Sequence, residues 1–183
     1  MSRIRIEPME WLIRCSPEGR PLEKVSRDQC HDGTKILHPV IHLQIIDKEG
    51  RFLLQKRSCK KQIQPGKWDT AVGGHVSWGE TFYQALKRES LEEIGFFPSQ
   101  ALFKTRYIWE SSCERELVSL YIADYRGETV CFDPEEIEET RFWGKEEILE
   151  NRLLFSENFL YELQHFFPTA NHCTDDFSLS ETG

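Results

Sequence analysis

Gly74-His75-Val76-Ser77-Trp78-Gly79-Glu80-Thr81-Phe82-Tyr83-Gln84-Ala85-Leu86-Lys87-Arg88-Glu89-Ser90-Leu91-Glu92-Glu93-Ile94-Gly95-Phe96 is the stretch from which the fold can be read. It follows an apolar pair, Ala71 and Val72, and opens on a Gly-Gly step, so a strand is expected to break into a turn there. From Glu80 the spacing becomes helical, and Gly95 is a C-terminal stop. Residues three and four apart share a helix face, which puts Glu89, Glu92 and Glu93 on one arc of about 100°. Leu86, Ser90 and Ile94 form the adjoining stripe, with Phe82 below them. Three adjacent carboxylates repel one another and weaken a helix; a divalent cation reverses that cost, because hard metals take carboxylate oxygens as ligands. Glu80 and Arg88, about two turns apart, are placed to tether the preceding loop to the helix. An acidic triplet alone is most often a solvated helix face. The frame around this one decides against that reading.

That frame comprises Gly74, Glu80, Arg88-Glu89, Glu92-Glu93, Gly95 and the apolar residue after it, and it resembles the signature of the Nudix hydrolases. Ser90 departs from the pattern, standing where the family usually has an aliphatic residue. The resemblance implies an α/β fold, the Nudix α/β/α sandwich with a mixed central β-sheet. It also implies a metal-dependent pyrophosphohydrolase. Glu89, Glu92 and Glu93 would be the catalytic residues and, with the Gly74 carbonyl, the ligands of Mg2+ or Mn2+. Glu80, Arg88 and Gly95 would shape the motif. One glutamate must accept a proton from the attacking water; Glu89, Glu93 and the acidic loop Glu135–Glu139 all hold candidates.

Length and composition set bounds on this reading. A chain of 183 residues is expected to form one domain, residues 1–167, with a polar flexible tail at 168–183 rich in Thr, Asp and Ser. A net charge of −8 argues against non-specific binding to nucleic acid or to an anionic membrane. The six cysteines show no CxxC pair, and the start MSRIRIEPMEW has no apolar core of a signal peptide. No apolar run approaches the length of a membrane span. A reduced, cytoplasmic protein is expected.

Along the chain, Glu10–Arg14 reads as a strand, 16–21 as a turn, and 25–31 as irregular polar chain. Leu37–Asp47 is a β-branched central strand with imperfect alternation, and Arg51–Lys56 returns as its hairpin partner. Trp68–Val72 is a short strand leading to Gly74. Ala101–Trp109 and Leu117–Tyr125 alternate as an antiparallel pair, Ile137–Trp143 is a further strand, and Lys145–Asn151 and Ser156–Phe166 are helices, the second capped by Ser156.

A second constellation involves histidine. His31 and His38 approach the central strand, His75 lies in the signature, and Glu114 and Glu116 alternate on one strand edge and so face one side. Exposed or hydrogen-bonded histidines are the default. However, His31, Leu37-His38, Gly74-His75 and Glu114-Arg115-Glu116 are similar to the metal-site pattern of the Nudix branch that includes isopentenyl-diphosphate isomerase. That resemblance implies a second divalent metal, Mn2+ or Zn2+, held by all five residues. The isomerase protonates an alkene with a cysteine just before the Gly-His pair, where this chain has Gly73, which has no side chain to transfer a proton. Both Gly73 and the intact Arg88–Glu93 run therefore point to hydrolysis of a small nucleotide-like or other diphosphate. Trp78 and Lys56, the latter within the basic run 55–57, are candidate substrate contacts. A prenyl-diphosphate isomerase and a catalytically silent diphosphate-binding domain are the alternatives.

Overall fold

The structure, a computed structural model, describes residues 10–61 and 63–168. Nearly all of the polar C-terminal tail lies outside the described residues. The chain opens with an antiparallel pair, β1 (Trp11–Cys15) and β2 (Pro21–Ser26), closed by the turn at 16–20, where Ser16 N–H donates to Arg20 O. The segment expected to be irregular holds the end of β2 and a short helix, α1 (Arg27–Cys30). Ser26 and Gln29 form a reciprocal capping box there, a signature overlooked in the polar run.

The main sheet is built around β3 (Leu37–Ile46). On one side β3 pairs in parallel, along its whole length, with β8 (Arg115–Asp124); on the other it pairs antiparallel with β4 (Phe52–Arg57) and β6 (Val72–His75). Beyond β4 come β5 (Trp68–Asp69) and β9 (Ile137–Trp143), and β7 (Leu102–Glu110) borders β8. The mixed sheet is covered on both faces, so β3 is buried along nearly all its length and its alternation is blurred. Ile41, Leu43, Ile45 and Leu53 pack with Ala85, Leu86 and Ile94 of the helix α2 (Phe82–Glu93) and its cap. Phe52, Leu54, Trp68 and Trp143 pack with Ile148 of α3 (Lys145–Glu150) and with Phe159 and Leu163 of α4 (Glu157–Phe166). Helix, sheet and helix thus form the expected three layers.

Two boundaries differ from expectation. Gly73 and Gly74 are not in a turn: they belong to β6, opposite His42 and Ile41, and the chain leaves the sheet only after His75. The strand expected over 68–72 is two pieces, because Asp69 Oδ1 accepts the Thr70 N–H and Thr70 Oγ1 donates to Leu43 O. The helix itself starts one residue after Thr81, whose side chain accepts from Gln84 N.

Candidate active site

Arg88 is the hub of the signature. Its guanidinium donates to both oxygens of Glu80, through Nε at 2.8 Å and NH2 at 2.9 Å. It also donates to the His75 carbonyl at 3.0 Å, to Glu89 at 2.7 Å and to Glu92 at 3.1 Å. Glu80 closes the loop by accepting the Ser77 N–H at 3.0 Å. One side chain therefore ties the end of β6, the loop and the helix together, which is the tether expected from the Glu80–Arg88 spacing. Its hydrogen bonds to Glu80 hold Arg88 firmly protonated against the cost of burial.

Glu89, Glu92 and Glu93 do share one face of α2, though in different environments. Glu92 is mostly exposed. Glu89 lies tight against Gly74: a methyl group there would overlap its carboxylate, so only glycine lets the strand and the acid approach this closely. Burial raises the Glu89 pKa to about 7 against the opposing pull of Arg88. Burial likewise raises Glu93 to about 7, although its Oε2 accepts the Gly73 N–H and Gln55 Nε2, both at 2.9 Å. Gln55 contributes to the site without belonging to the signature. Ser90, the departure from the family pattern, is buried and donates to Leu86 O at 2.7 Å, so its hydroxyl is satisfied within the helix.

The structure brings His31, His38 and His75 together, with one ring nitrogen from each lying within 4.8 Å of the others. His31 Nδ1 bonds to Arg27 O at 3.0 Å and His38 Nδ1 to Ile36 O at 2.9 Å, which makes both Nδ1 atoms donors and leaves the Nε2 lone pairs directed inward. Burial lowers all three pKa values, that of His38 to about 4, so the imidazoles are neutral. His38 Nε2 is buried with no hydrogen-bond partner among the described residues, and His31 Nε2 and His75 Nε2 are 3.3 Å apart. Neutral nitrogens facing one another in this way suit a cation. Glu114 joins the cluster through Oε2, 3.3 Å from His31 Nε2. Glu116 is the register partner of His38, and burial together with the charge of Glu114 pushes its pKa up to about 8. The two acids do not alternate along one strand as expected, since Glu114 precedes β8 and reaches the histidines from the loop.

The basic run is already matched by carboxylates. Lys56 pairs with Glu138 at 3.1 Å, Lys60 with Glu135 at 2.6 Å and Arg57 with Asp69 at 3.4 Å, while Lys61 meets Glu136. Trp78 remains 46% exposed beside the signature loop. The sequence reading missed a group on the face of β3 away from α2, the face that also carries His38: His42 and Gln44, with Tyr107 of β7 and Glu162 of α4. A signal was present, because polar residues at positions 38, 42 and 44 share one face of a strand otherwise almost wholly apolar.

The NUDIX domain model matches residues 37–163. The chain belongs to the Nudix family. It is 28% identical over 140 residues to an uncharacterized Nudix hydrolase of Yersinia pestis, covering 76% of each protein. It is 33% identical over 87 residues to an isopentenyl-diphosphate Delta-isomerase of Serratia proteamaculans, a match that covers 48% of either chain. A crystal structure from Deinococcus radiodurans superposes with a TM-score of 0.71 at 18% identity, covering 86% of this chain and 99% of that one. A MutT protein from Methanosarcina mazei gives 0.65 at 23% identity, covering 73% and 95%. These two structures share the fold of this chain.

Proposed function

We propose that this Nudix protein is a metal-dependent pyrophosphohydrolase acting at Glu89, Glu92 and Glu93 on a small diphosphate substrate. The observation that carries the reading is the pair Glu89 and Glu93, buried against Gly74 and Gly73 with raised pKa values, beside a fully engaged Arg88. Arg88 binds Glu89 through Oε1, while Gly73 and Gln55 bind Glu93 through Oε2. Among the described residues, each acid thus keeps one oxygen free to hold a cation or take a proton. Two partly buried carboxylates short of positive charge fit a divalent ion, with the Gly74 carbonyl as a further ligand. Mg2+ or Mn2+ held there would supply positive charge against the phosphoryl oxygens and make the attacking water more acidic. Arg88 and Glu80 hold the loop in place and do not touch the reacting atoms.

The neutral imidazoles of His31, His38 and His75, with Glu114 and Glu116, fit a second ion of the Mn2+ or Zn2+ class. An isomerase reading draws on the names of the relatives, but Gly73 provides no proton donor. We take residues 1–167 as one domain. Five unpaired cysteines among the described residues suit a reducing cytoplasm. The described helices include none long and apolar enough to cross a membrane. The direct test is phosphate release, with coupling enzymes, across nucleoside triphosphates, nucleotide sugars, ADP-ribose, dinucleotides and isopentenyl diphosphate, with Mg2+ or Mn2+. Metal-dependent turnover that disappears in Glu93→Gln is expected. Isomerisation without phosphate release would overturn the reading.

A further inference from the structure

Between the sheet and α4, on the face of β3 away from α2, lies a polar group that hydrolysis does not use. Glu162 is fully buried, and three side chains meet its carboxylate: His42 Nδ1 at 2.7 Å, Gln44 Nε2 at 2.6 Å and the Tyr107 hydroxyl at 2.7 Å. A buried carboxylate persists only with such partners. Their joint effect is to fix His42. With Nδ1 committed to Glu162, the remaining polar corner of the ring is Nε2, which has no hydrogen-bond partner among the described residues. The side chain keeps 11% of its surface open. Burial works against a charged imidazole here, but the charge of Glu162 outweighs it and raises the pKa to about 9, so Nε2 bears a hydrogen at neutral pH.

Nε2 faces Gly73, the register partner of His42. A Cβ at Gly73 would stand 3.3 Å from Thr70 Cγ2, 3.4 Å from His42 Cδ2 and 3.6 Å from Nε2, so glycine leaves a narrow slot, slightly less than a methyl group, between Thr70 and the ring. Gln44 Oε1, on the same face of β3, is buried without a hydrogen-bond partner among the described residues. Gly73 also joins the two faces of the sheet, because its N–H donates to Glu93 while its missing side chain opens toward His42. Gly73 is thus the point at which the organic group of a substrate held at Glu89 and Glu93 would meet this slot. A hydrocarbon there would leave the Nε2–H without an acceptor, whereas a hydroxyl or carbonyl oxygen would accept it. Sites built around such a donor reject analogues that lack the acceptor.

We propose that His42, positioned by Glu162, is a specificity residue that selects a diphosphate whose organic group carries a hydroxyl or carbonyl oxygen, over a purely hydrocarbon diphosphate. The proposal rests on the hydrolase reading for where the diphosphate lies. The probes are isopentyl diphosphate and the same molecule with a hydroxyl on its branched carbon. Calorimetry with Ca2+ in place of Mg2+ gives their affinities for the full chain, and phosphate release with Mg2+ gives kcat/KM. The wild type is expected to bind the hydroxylated probe about tenfold or more tightly, the equivalent of one hydrogen bond to a charged donor. His42→Phe is expected to bring the ratio to about one. Gly73→Ala, which fills the slot while leaving the Glu162 network intact, should do the same if His42→Phe does not fold.

Equal wild-type affinities, no binding of either probe, or a preference that survives in a folded variant would overturn the inference. Preference in binding without turnover would support it and remove the hydrolase reading. Turnover of both probes at equal kcat/KM would do the reverse.

Discussion

Glu93 is where the chemistry of the site is most exposed to experiment. Its folded pKa is raised from 4.5 to about 7, chiefly by burial. A raised carboxylate pKa means that the folded state holds a proton which the unfolded chain has already released. Stability therefore falls as pH rises through that window and levels off above it, by about 3 kcal/mol at most. Glu93→Gln keeps an acceptor for the Gly73 and Gln55 donors and removes the titration. In metal-free protein the variant should match the wild type near pH 5 and exceed it near pH 8. Chemical denaturation in chelator at the two pH values measures this, and an unchanged pH slope would refute the burial account. The same variant should lose at least a hundredfold in kcat with Mg2+, whether Glu93 holds the ion or takes the proton. The acid itself was legible in the sequence because helical spacing fixes which residues share a face. Its partners were not, since Gln55 and Gly73 reach Glu93 through pairing that no local pattern announces.

Elements were read most faithfully where local chemistry and tertiary packing agree. The helix α2 was found through its spacing and its glycine stop, and Gly95 shows why that stop is strict. Its φ is +79°, and a Cβ there would lie 2.8 Å from both Cβ and the carbonyl oxygen of Cys131. Gly95→Ala is expected to lower stability by more than the ~1 kcal/mol of backbone strain alone, because backbone must also move. Urea denaturation would show it; a loss below 0.5 kcal/mol, on the order of a surface change, would contradict this account. Local reading failed where tertiary pairing overrode propensity. Gly73-Gly74 looks like a turn by composition, yet the edge of β3 draws it into β6 and the close approach of Glu89 requires the second glycine. The short helix at Arg27–Cys30 was hidden for the opposite reason: it is defined by its cap and too short to show periodicity. The His42–Glu162 pair joins residues that only the layering of α4 on the sheet brings into contact.

At the scale of the whole molecule, the histidine cluster acts as a joint. His31 follows α1, His38 is on β3 and His75 ends β6, while Glu114 arrives from the loop before β8. The β1–β2–α1 unit has a small core of its own, Leu12, Val25 and Cys30. It is fastened to the signature by the Trp78 N–H to Trp11 O bond and by the bridge between Leu12 and Ser77. Ile13 and Cys15 of β1 also join the main core, and a cross-link near His31 would add to that hold. A cation shared by His31, His38 and His75 would supply one, and would relieve the cost of about 1–3 kcal/mol for leaving His38 Nε2 unpaired. Removing the metal should therefore act at a distance from the ligands, loosening residues 10–36 while β3, β8 and α4 hold. Hydrogen exchange with and without Mn2+ or Zn2+ is expected to show deprotection concentrated in β1 and β2. At a hundred times its dissociation constant the ion should stabilise the fold by about 2.7 kcal/mol. His38→Ala should abolish both effects, and Glu93→Gln should leave them intact, because the two sites draw on separate ligands. Metal that protects α2 instead of β1 and β2, or that still protects them in His38→Ala, would place the structural ion elsewhere and leave the histidines as a packed, metal-free cluster.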